Sequence, residues 1–152
     1  HSRYRAKVEA MIDEHGVRER TLMTGMLSGR AKLAALVDAY MLAQPSFHEN
    51  FGMAVIEGLA CGAPVLVSDQ VYLHPWIEGN GVGGVTQCAV DSVATELQRW
   101  LNDSALREDA AGKARSLALA TFDWDAIARR WVGHYQKLIA SAQSSQGIAP
   151  PL

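Results

Sequence analysis

The chain has 152 residues, of which 49% are hydrophobic, and a formal net charge of −2. This length allows one hydrophobic core, so we expect one domain. The charge argues against a nucleic-acid partner, because no basic patch exists to replace the counterions of a phosphate backbone. No apolar run approaches the length of a membrane span and no signal peptide is visible, so we expect a cytoplasmic protein.

The cysteines and histidines of the chain do not predict a metal site. Cys61 and Cys88 lack metal-binding or redox spacing, and two such thiols fit a reducing cytoplasm. The 5 histidines are scattered along the sequence. We therefore expect no metal.

The first forty residues predict two helices and one short strand. A helix is expected over 3–15 with Gly16 as its C-terminal stop, then a strand over 20–24, then a helix over 32–39. The inward positions expected for the second helix are Leu33, Leu36 and Val37.

Residues 43–69 predict the unit that carries the function. An apolar run over 39–43 predicts a buried strand, and a polar loop follows over 46–52. Helical spacing over 53–61 and a second apolar strand over 64–68 complete a strand, helix, strand unit. Strands that are apolar on both faces are typical of parallel sheets covered by helices. We predict an α/β fold with a Rossmann-like parallel sheet flanked by helices, in which ligands bind at the carboxyl ends of the strands.

The loop before the helix is the predicted binding site. Phe51 and Gly52 let the backbone pass close to a bound group, and the first free amides of the helix, near Gly52 and Met53, carry a partial positive charge of roughly half an electron. This arrangement predicts an anion site. Glu49 precedes the helix and Glu57 lies about two turns further on, where both carboxylates can accept hydrogen bonds from hydroxyls. A phosphate site flanked in this way describes a sugar nucleotide.

These residues resemble the motif of the group 1 glycosyltransferases, retaining enzymes of the GT-B fold, in which seven residues separate two glutamates. The matching residues are Pro45, Ser46, Glu49, Asn50, Phe51, Gly52, Glu57, Gly62, Ala63, Pro64 and Val65. The likeness extends over about 18–139. The likeness rests on the complete set of matching residues, because a pair of glutamates at this spacing arises by chance among 16 acidic residues. In that alternative, Glu49 simply caps the helix and Glu57 lies on its solvated face.

The resemblance implies that residues 1–140 are the C-terminal, nucleotide-sugar-binding part of an enzyme that moves a sugar from a nucleoside diphosphate to an acceptor with retention of configuration. Catalytic Glu49 would hold hydroxyls of the donor sugar, and Glu57 would bind the ribose. The backbone of Gly25 and Met26 would lie beside the nucleobase, or would form an ordinary connection. The amides expected to hold the phosphates or the sugar are those of Asn50, Phe51, Gly52 and Met53.

The resemblance also implies that parts of the enzyme are missing. The N-terminal acceptor-binding domain is absent from this chain, and no strand precedes residue 20 to carry the family's basic pair for the donor diphosphate. Neutralising that diphosphate is a large electrostatic term, so we expect the fragment to be inactive alone. The substrate would be a nucleoside diphosphate sugar, and no cofactor is expected. The full enzyme could also use an acceptor at the membrane surface.

The remainder predicts one strand and three helices. Glycine-rich turns lead into a strand over 84–88, and His74 is expected near the ligand edge, although a lone histidine is more often a packing residue. Helix starts are expected at Asp91 or Ser92, at Asp103 or Ser104, and at Asp123. The stripe of the third helix is expected in the core or, in part, against a partner, and residues 141–152 form a tail. The members of that stripe are Trp124, Ile127, Trp131, Tyr135 and Leu138.

Two other classes of function fit the same residues. A non-catalytic nucleotide-binding or partner-binding module would explain the missing acceptor domain, but not the glutamate pair. A glycoside hydrolase would use Glu49 and Glu57 as acid and nucleophile, with carboxyls about 5 to 10 Å apart. An anion site beside the glutamates fits a nucleotide better.

Overall fold

The computed structural model describes residues 2–146. The chain divides into two compact units, one up to Lys32 and one from Leu33 onwards. The described hydrophobic core lies in the second unit. No helix within residues 2–146 combines the length and the apolar character needed to cross a bilayer.

The first unit begins with helix α1 (Ser2–Glu14), which confirms the predicted helix. Gly16 adopts φ +61° after it, and the amide of Val17 donates to the carbonyl of Ile12, so a left-handed glycine ends the helix as expected. The guanidinium of Arg18 donates to both carboxylate oxygens of Asp13 at 2.7 Å. These hydrogen bonds, with the attraction between the charges, lower the pKa of Asp13 below its ordinary value of 3.8.

The predicted strand over 20–24 is wrong. A 3₁₀ turn covers Arg18–Arg20, and residues 21–28 have no regular secondary structure. Leu22 is 84% exposed. A strand is stabilised by hydrogen bonds to a neighbouring strand, and in the described part of the chain the first strand begins only at Leu42.

Helix α2 (Gly29–Val37) confirms the second predicted helix but not its buried face. Leu33 and Val37 are exposed, and Leu36 is half-buried. Alanines and leucines are spread around the circumference of this short helix, so the sequence does not define one apolar face.

The second unit contains the predicted parallel sheet. Strands β1 (Leu42–Gln44), β2 (Val65–Ser68) and β3 (Gly83–Thr86) lie in that order and all run parallel. Leu42 pairs with Val65, and Val65 pairs with Gly83. Helix α3 (Met53–Ala60) connects β1 to β2. The strand, helix, strand unit predicted from residues 43–69 and the α/β fold are therefore confirmed. The predicted burial of the first strand is wrong, because Leu42 and Gln44 are only half-buried and Ala43 is exposed.

Strand β2 is buried along its whole length and divides the packing between two faces. Val65 and Val67 belong to a core that also contains residues of α3 and of the later helices. Leu66 lies on the opposite face, where Trp100 also approaches Gly84. The core residues of the first face are Val55, Ile56, Leu59, Val65, Val67, Val71, Leu73, Ile77, Val82, Ala114 and Ala118.

The segment between β2 and β3, which the sequence predicts as a turn, contains a short helix, α4 (His74–Asn80). Pro75 lies in its first turn, and Gly81 ends it with φ +59°. Seven residues are too few for a clear apolar period, which is why the sequence does not reveal the helix.

Three helices follow as predicted: α5 (Val90–Asn102), α6 (Ser104–Phe122) and α7 (Trp124–Gln146). Asp103 caps α6 by accepting from the amide of Leu106 at 2.9 Å, and Asp123 accepts from that of Ala126 at 3.0 Å. The predicted cap of α5 is wrong, because Ala89 occupies the cap position without a side-chain hydrogen bond and Asp91 lies inside the first turn.

The stripe of α7 is not buried in this chain. Trp124 is 73% exposed, and Trp131, Tyr135 and Leu138 are also exposed, while Ile127 is half-buried. A stripe shows that a face can be covered, but it does not show which element covers it. The predicted tail over 141–152 is described only as far as Gln146, where it is helical, and its remaining residues lie outside the described part.

We predict that Gly83→Ala lowers the free energy of unfolding by about 1–3 kcal/mol, because an added methyl group would meet the carbonyl oxygen of Val65 in the paired strand. Gly112→Ala is the matched control. Outside the neighbouring turns of its own helix, no atom lies within 4 Å of the new methyl group. The better helix former should therefore raise the free energy of unfolding by about 0.5–1 kcal/mol. Urea denaturation measures both, and equal changes would contradict the predicted packing of β3.

We predict that Arg18→Gln raises the pKa of Asp13 toward 3.8. In the unsubstituted chain the pKa of Asp13 is lower in the folded state than in the unfolded state. The ion pair therefore stabilises the protein at pH values above the ordinary pKa of Asp13, and this stabilisation is lost as the pH falls through the folded-state pKa. Carbon-13 NMR of the Asp13 carboxyl measures the shift. Arg5→Gln, which removes the separate Arg5 to Glu9 pair, should leave Asp13 unchanged. An Asp13 that titrates identically in both variants would refute the bond.

Candidate functional site

The loops that follow the three strands meet at one edge of the sheet. The hydroxyl of buried Ser68, the last residue of β2, donates to the carbonyl of Ser46 in the loop after β1. The thiol of Cys88, just after β3, lies 3.4 Å from the carbonyl of Pro45. The polar loop is thereby tied to both neighbouring strands at the edge where a parallel sheet binds ligands.

Glu49 is held in place by its backbone. Its amide donates to the carbonyl of Gln70 at 3.3 Å, and its carbonyl accepts from the amide of Tyr72 at 3.1 Å. Glu49 thus forms an isolated parallel bridge to Val71, beyond the end of β2. The residue predicted to be catalytic is therefore fixed on an extension of the sheet.

Both carboxylate oxygens of Glu49 also have partners in the chain. Oε1 accepts from the amide of Gly52, and Oε2 accepts from Nε2 of Gln44, each at 3.2 Å. The first bond is the helix-capping contact that the sequence left open as an alternative reading. A carboxylate has about four lone-pair sites, so about two remain for a ligand. Glu49 is half-buried and can present them at the surface.

Gly52 must be glycine at the start of α3. It has φ +77°, and a methyl group there would lie 3.3 Å from Cγ2 of Val55 and 3.6 Å from Cγ of Glu49. Its carbonyl accepts from the amides of Val55 and Ile56. The positive φ therefore favours glycine at the bend that brings this amide to the carboxylate of Glu49.

The predicted anion site has fewer free backbone amides than the sequence indicates. The amide of Gly52, expected to be free, donates to Glu49 instead. The amides of Met53 and Ala54 are the first of the helix and have no acceptor inside it. They retain the partial positive charge of a helix N-terminus, next to a carboxylate whose position is fixed.

The other predicted residues lie in or near the same loop. Asn50 and Met53 are exposed, and Glu57 is half-buried one helical turn after Met53. The ring of Phe51 packs edge-on against Phe122 with 6.0 Å between the centroids. One side of the Phe51 ring is thus occupied within the chain, while the residue stays 39% exposed.

A depression of about 400 Å³ adjoins Glu49. It includes Asp69 and Tyr72, which the sequence did not single out although they directly follow β2, and His74, which it expected near this edge. Nδ1 of His74 lies 3.0 Å from the carbonyl of Val71, so the chain itself holds one side of the ring. The lining residues are His48, Glu49, Asn50, Asp69, Gln70, Val71, Tyr72, His74 and Pro75.

Gly25 and Met26, the predicted base contacts, belong to the first unit. Gly25 has φ +67° and Met26 is 97% exposed. The strand expected before them is absent from the described residues, so they lie in an irregular segment rather than at a strand end. Their contact with a nucleobase stays a prediction. In residues 2–146, no three His, Cys, Asp or Glu side chains come together as a metal site.

The comparisons identify the family. Residues 2–117 match the family described as glycosyl transferases group 1, so the chain belongs to that family. This match confirms the resemblance seen in the glutamate motif.

Three similar proteins illustrate the relationship. An uncharacterized glycosyltransferase of Methanocaldococcus jannaschii is 31% identical, and the match covers 85% of this chain and 33% of that protein. The MMP alpha-(1->4)-mannosyltransferase of Mycolicibacterium hassiacum is 28% identical, and the match covers 87% of this chain and 33% of that protein. Sucrose-phosphate synthase from Thermosynechococcus elongatus has a similar structure, with a TM-score of 0.77, 28% identity, and coverage of 91% of this chain and 35% of that one. The structural likenesses confirm the GT-B relationship, and the chain spans about a third of its relatives' length.

We predict that Ser68→Ala lowers the free energy of unfolding by about 1–2 kcal/mol, because the buried hydrogen bond to the carbonyl of Ser46 is lost. Ser116→Ala, on the exposed surface of α6, should change stability by less than about 0.5 kcal/mol. Chemical denaturation compares the two variants. A Ser68→Ala protein as stable as the control would show that the bond does not hold the loop.

Proposed function

We propose that this chain is the C-terminal, donor-binding part of a retaining glycosyltransferase that transfers a sugar from a nucleoside diphosphate to an acceptor. The observation that carries the proposal is the Glu49 carboxylate, fixed at the carboxyl edge of a parallel sheet beside the first amides of α3. Membership in the glycosyltransferase family supports the same reading.

The proposed roles follow the positions of the groups. Glu49 accepts hydrogen bonds from hydroxyls of the donor sugar at its remaining lone pairs and stabilises positive charge at the anomeric carbon. The amides of Asn50, Phe51 and Met53 hold the diphosphate or sugar, with those of Met53 and Ala54 carrying the helix charge, while the amide of Gly52 holds Glu49. Glu57, further along α3, binds the ribose hydroxyls.

The chain alone is proposed to bind the donor without turning it over. The departing diphosphate needs cationic stabilisation, and the described residues lining the depression at Glu49 include no lysine or arginine. The longer protein would supply that charge together with an acceptor-binding N-terminal domain. We place the reaction in the cytoplasm, with a hexose as donor sugar and no cofactor. The name of the mannosyltransferase relative supports the choice of a hexose.

A non-catalytic nucleotide-binding module is the second candidate. It is favoured by the finding that both oxygens of Glu49 accept bonds from within the chain, as they would in a purely structural cap. Under this alternative the nucleotide binds, but Glu49 makes no contact with a sugar.

We predict distinct effects of two glutamate variants on binding, measured by calorimetry with UDP, GDP, ADP and their glucose or mannose conjugates. Glu57→Gln weakens nucleotide and conjugate alike by roughly tenfold, because a charged acceptor for the ribose is lost. Glu49→Gln weakens only the conjugate. Glu108→Gln, on the exposed surface of α6, is the control and changes neither.

The pattern of binding distinguishes the candidates. A nucleotide that binds with Glu57→Gln unchanged would refute the ribose contact. A conjugate that binds no differently with Glu49→Gln would favour the non-catalytic module.

A further inference from the structure

Gln44 is the last residue of β1 and has no role in the glutamate motif. It is half-buried and pairs with Val67 of β2, so its backbone position is set by the sheet. Its side-chain nitrogen lies 3.2 Å from Oε2 of Glu49. An ionised carboxylate only accepts hydrogen bonds, so the amide of Gln44 must present its NH₂ group to Glu49.

The two donors at Glu49 approach different oxygens. The Gly52 amide holds Oε1 and the Gln44 side chain holds Oε2. The terminal torsion of a glutamate is broad, so one donor would leave the carboxylate plane free to rotate. Two donors fix that plane, and with it the direction of the lone pairs that remain.

The origin of the two donors differs in a way that matters for function. The Gly52 amide lies at the start of α3, only three residues after Glu49, whereas Gln44 is the last residue of β1 in the sheet. The Gln44 contact therefore sets the carboxylate against the rigid part of the fold. A site built on a strand end is held more precisely than one built on a loop alone.

We propose that Gln44 is a positioning residue, which holds the Glu49 carboxylate in the orientation that accepts hydroxyls of the donor sugar. This inference rests on the proposed function, because it assumes that Glu49 contacts the sugar. It assigns Gln44 no contact with the nucleotide. Its effect must therefore appear in the difference in affinity between a nucleoside diphosphate and its sugar conjugate.

The test compares the affinities of UDP, GDP and ADP with those of UDP-glucose, GDP-mannose and ADP-glucose by calorimetry on this chain. Gln44→Met keeps the length of the side chain but removes the donor, and it should weaken the bound conjugate roughly tenfold while its nucleotide binds unchanged. Gln44→Glu places a like charge beside Glu49 and should lower the affinity for the sugar conjugate further than Gln44→Met does. Gln98→Met, exposed on α5, is the matched control.

Each outcome decides the inference. Loss of conjugate affinity alone in Gln44→Met, with an unchanged urea midpoint, supports it. Equal weakening of nucleotide and conjugate would mean a general structural role and would overturn it. If Glu49→Gln weakens the conjugate but Gln44→Met does not, the inference fails while the proposed function stands. If the unsubstituted chain binds none of the six compounds, the inference about Gln44 and the proposed function are both overturned.

Discussion

The parallel pairing of β1 with β2 is the constraint on which the site depends. Because the two strands point the same way, the loop after β1 and the loop after β2 leave the sheet at one edge. The backbone of Glu49 continues the parallel pairing beyond β2. The hydroxyl of buried Ser68 donates to the carbonyl of Ser46 in the same loop. β2 is buried along its whole length, so this edge rests on a packed strand.

The contacts of Glu49 reconcile the structural and the functional reading of this residue. A carboxylate that caps the start of α3 stabilises the helix and at the same time is oriented by it. The bond to Gln44 adds a second fixed point on the sheet. Capping is therefore compatible with the proposed contact to the donor sugar, because the carboxylate keeps lone pairs for hydroxyls while its position is set in advance.

The sequence predicts what local patterns determine and misses what distant contacts determine. Residues 43–69 show strand, helix, strand because each element has its own apolar spacing, and the structure agrees. The strand over 20–24 fails because a strand needs a partner that its own residues do not specify. The stripe on α7 is predicted to lie in the core or, in part, against a partner, yet Trp131 and Tyr135 are exposed, since an apolar stripe does not specify the surface that covers it. The bond between Gln44 and Glu49 depends on how the loop returns to the strand, and no motif signals it.

The donor is proposed to bind at the carboxyl edge of the sheet, around Glu49. Amide chemical shifts, mapped by NMR while this chain is titrated with a nucleoside diphosphate sugar, locate the bound ligand. We predict the largest changes over 44–57 and 69–74, with the amino ends of the strands and helix α7 nearly unaffected. Changes concentrated on α7, or no change along 44–57 at saturating ligand, would contradict the account.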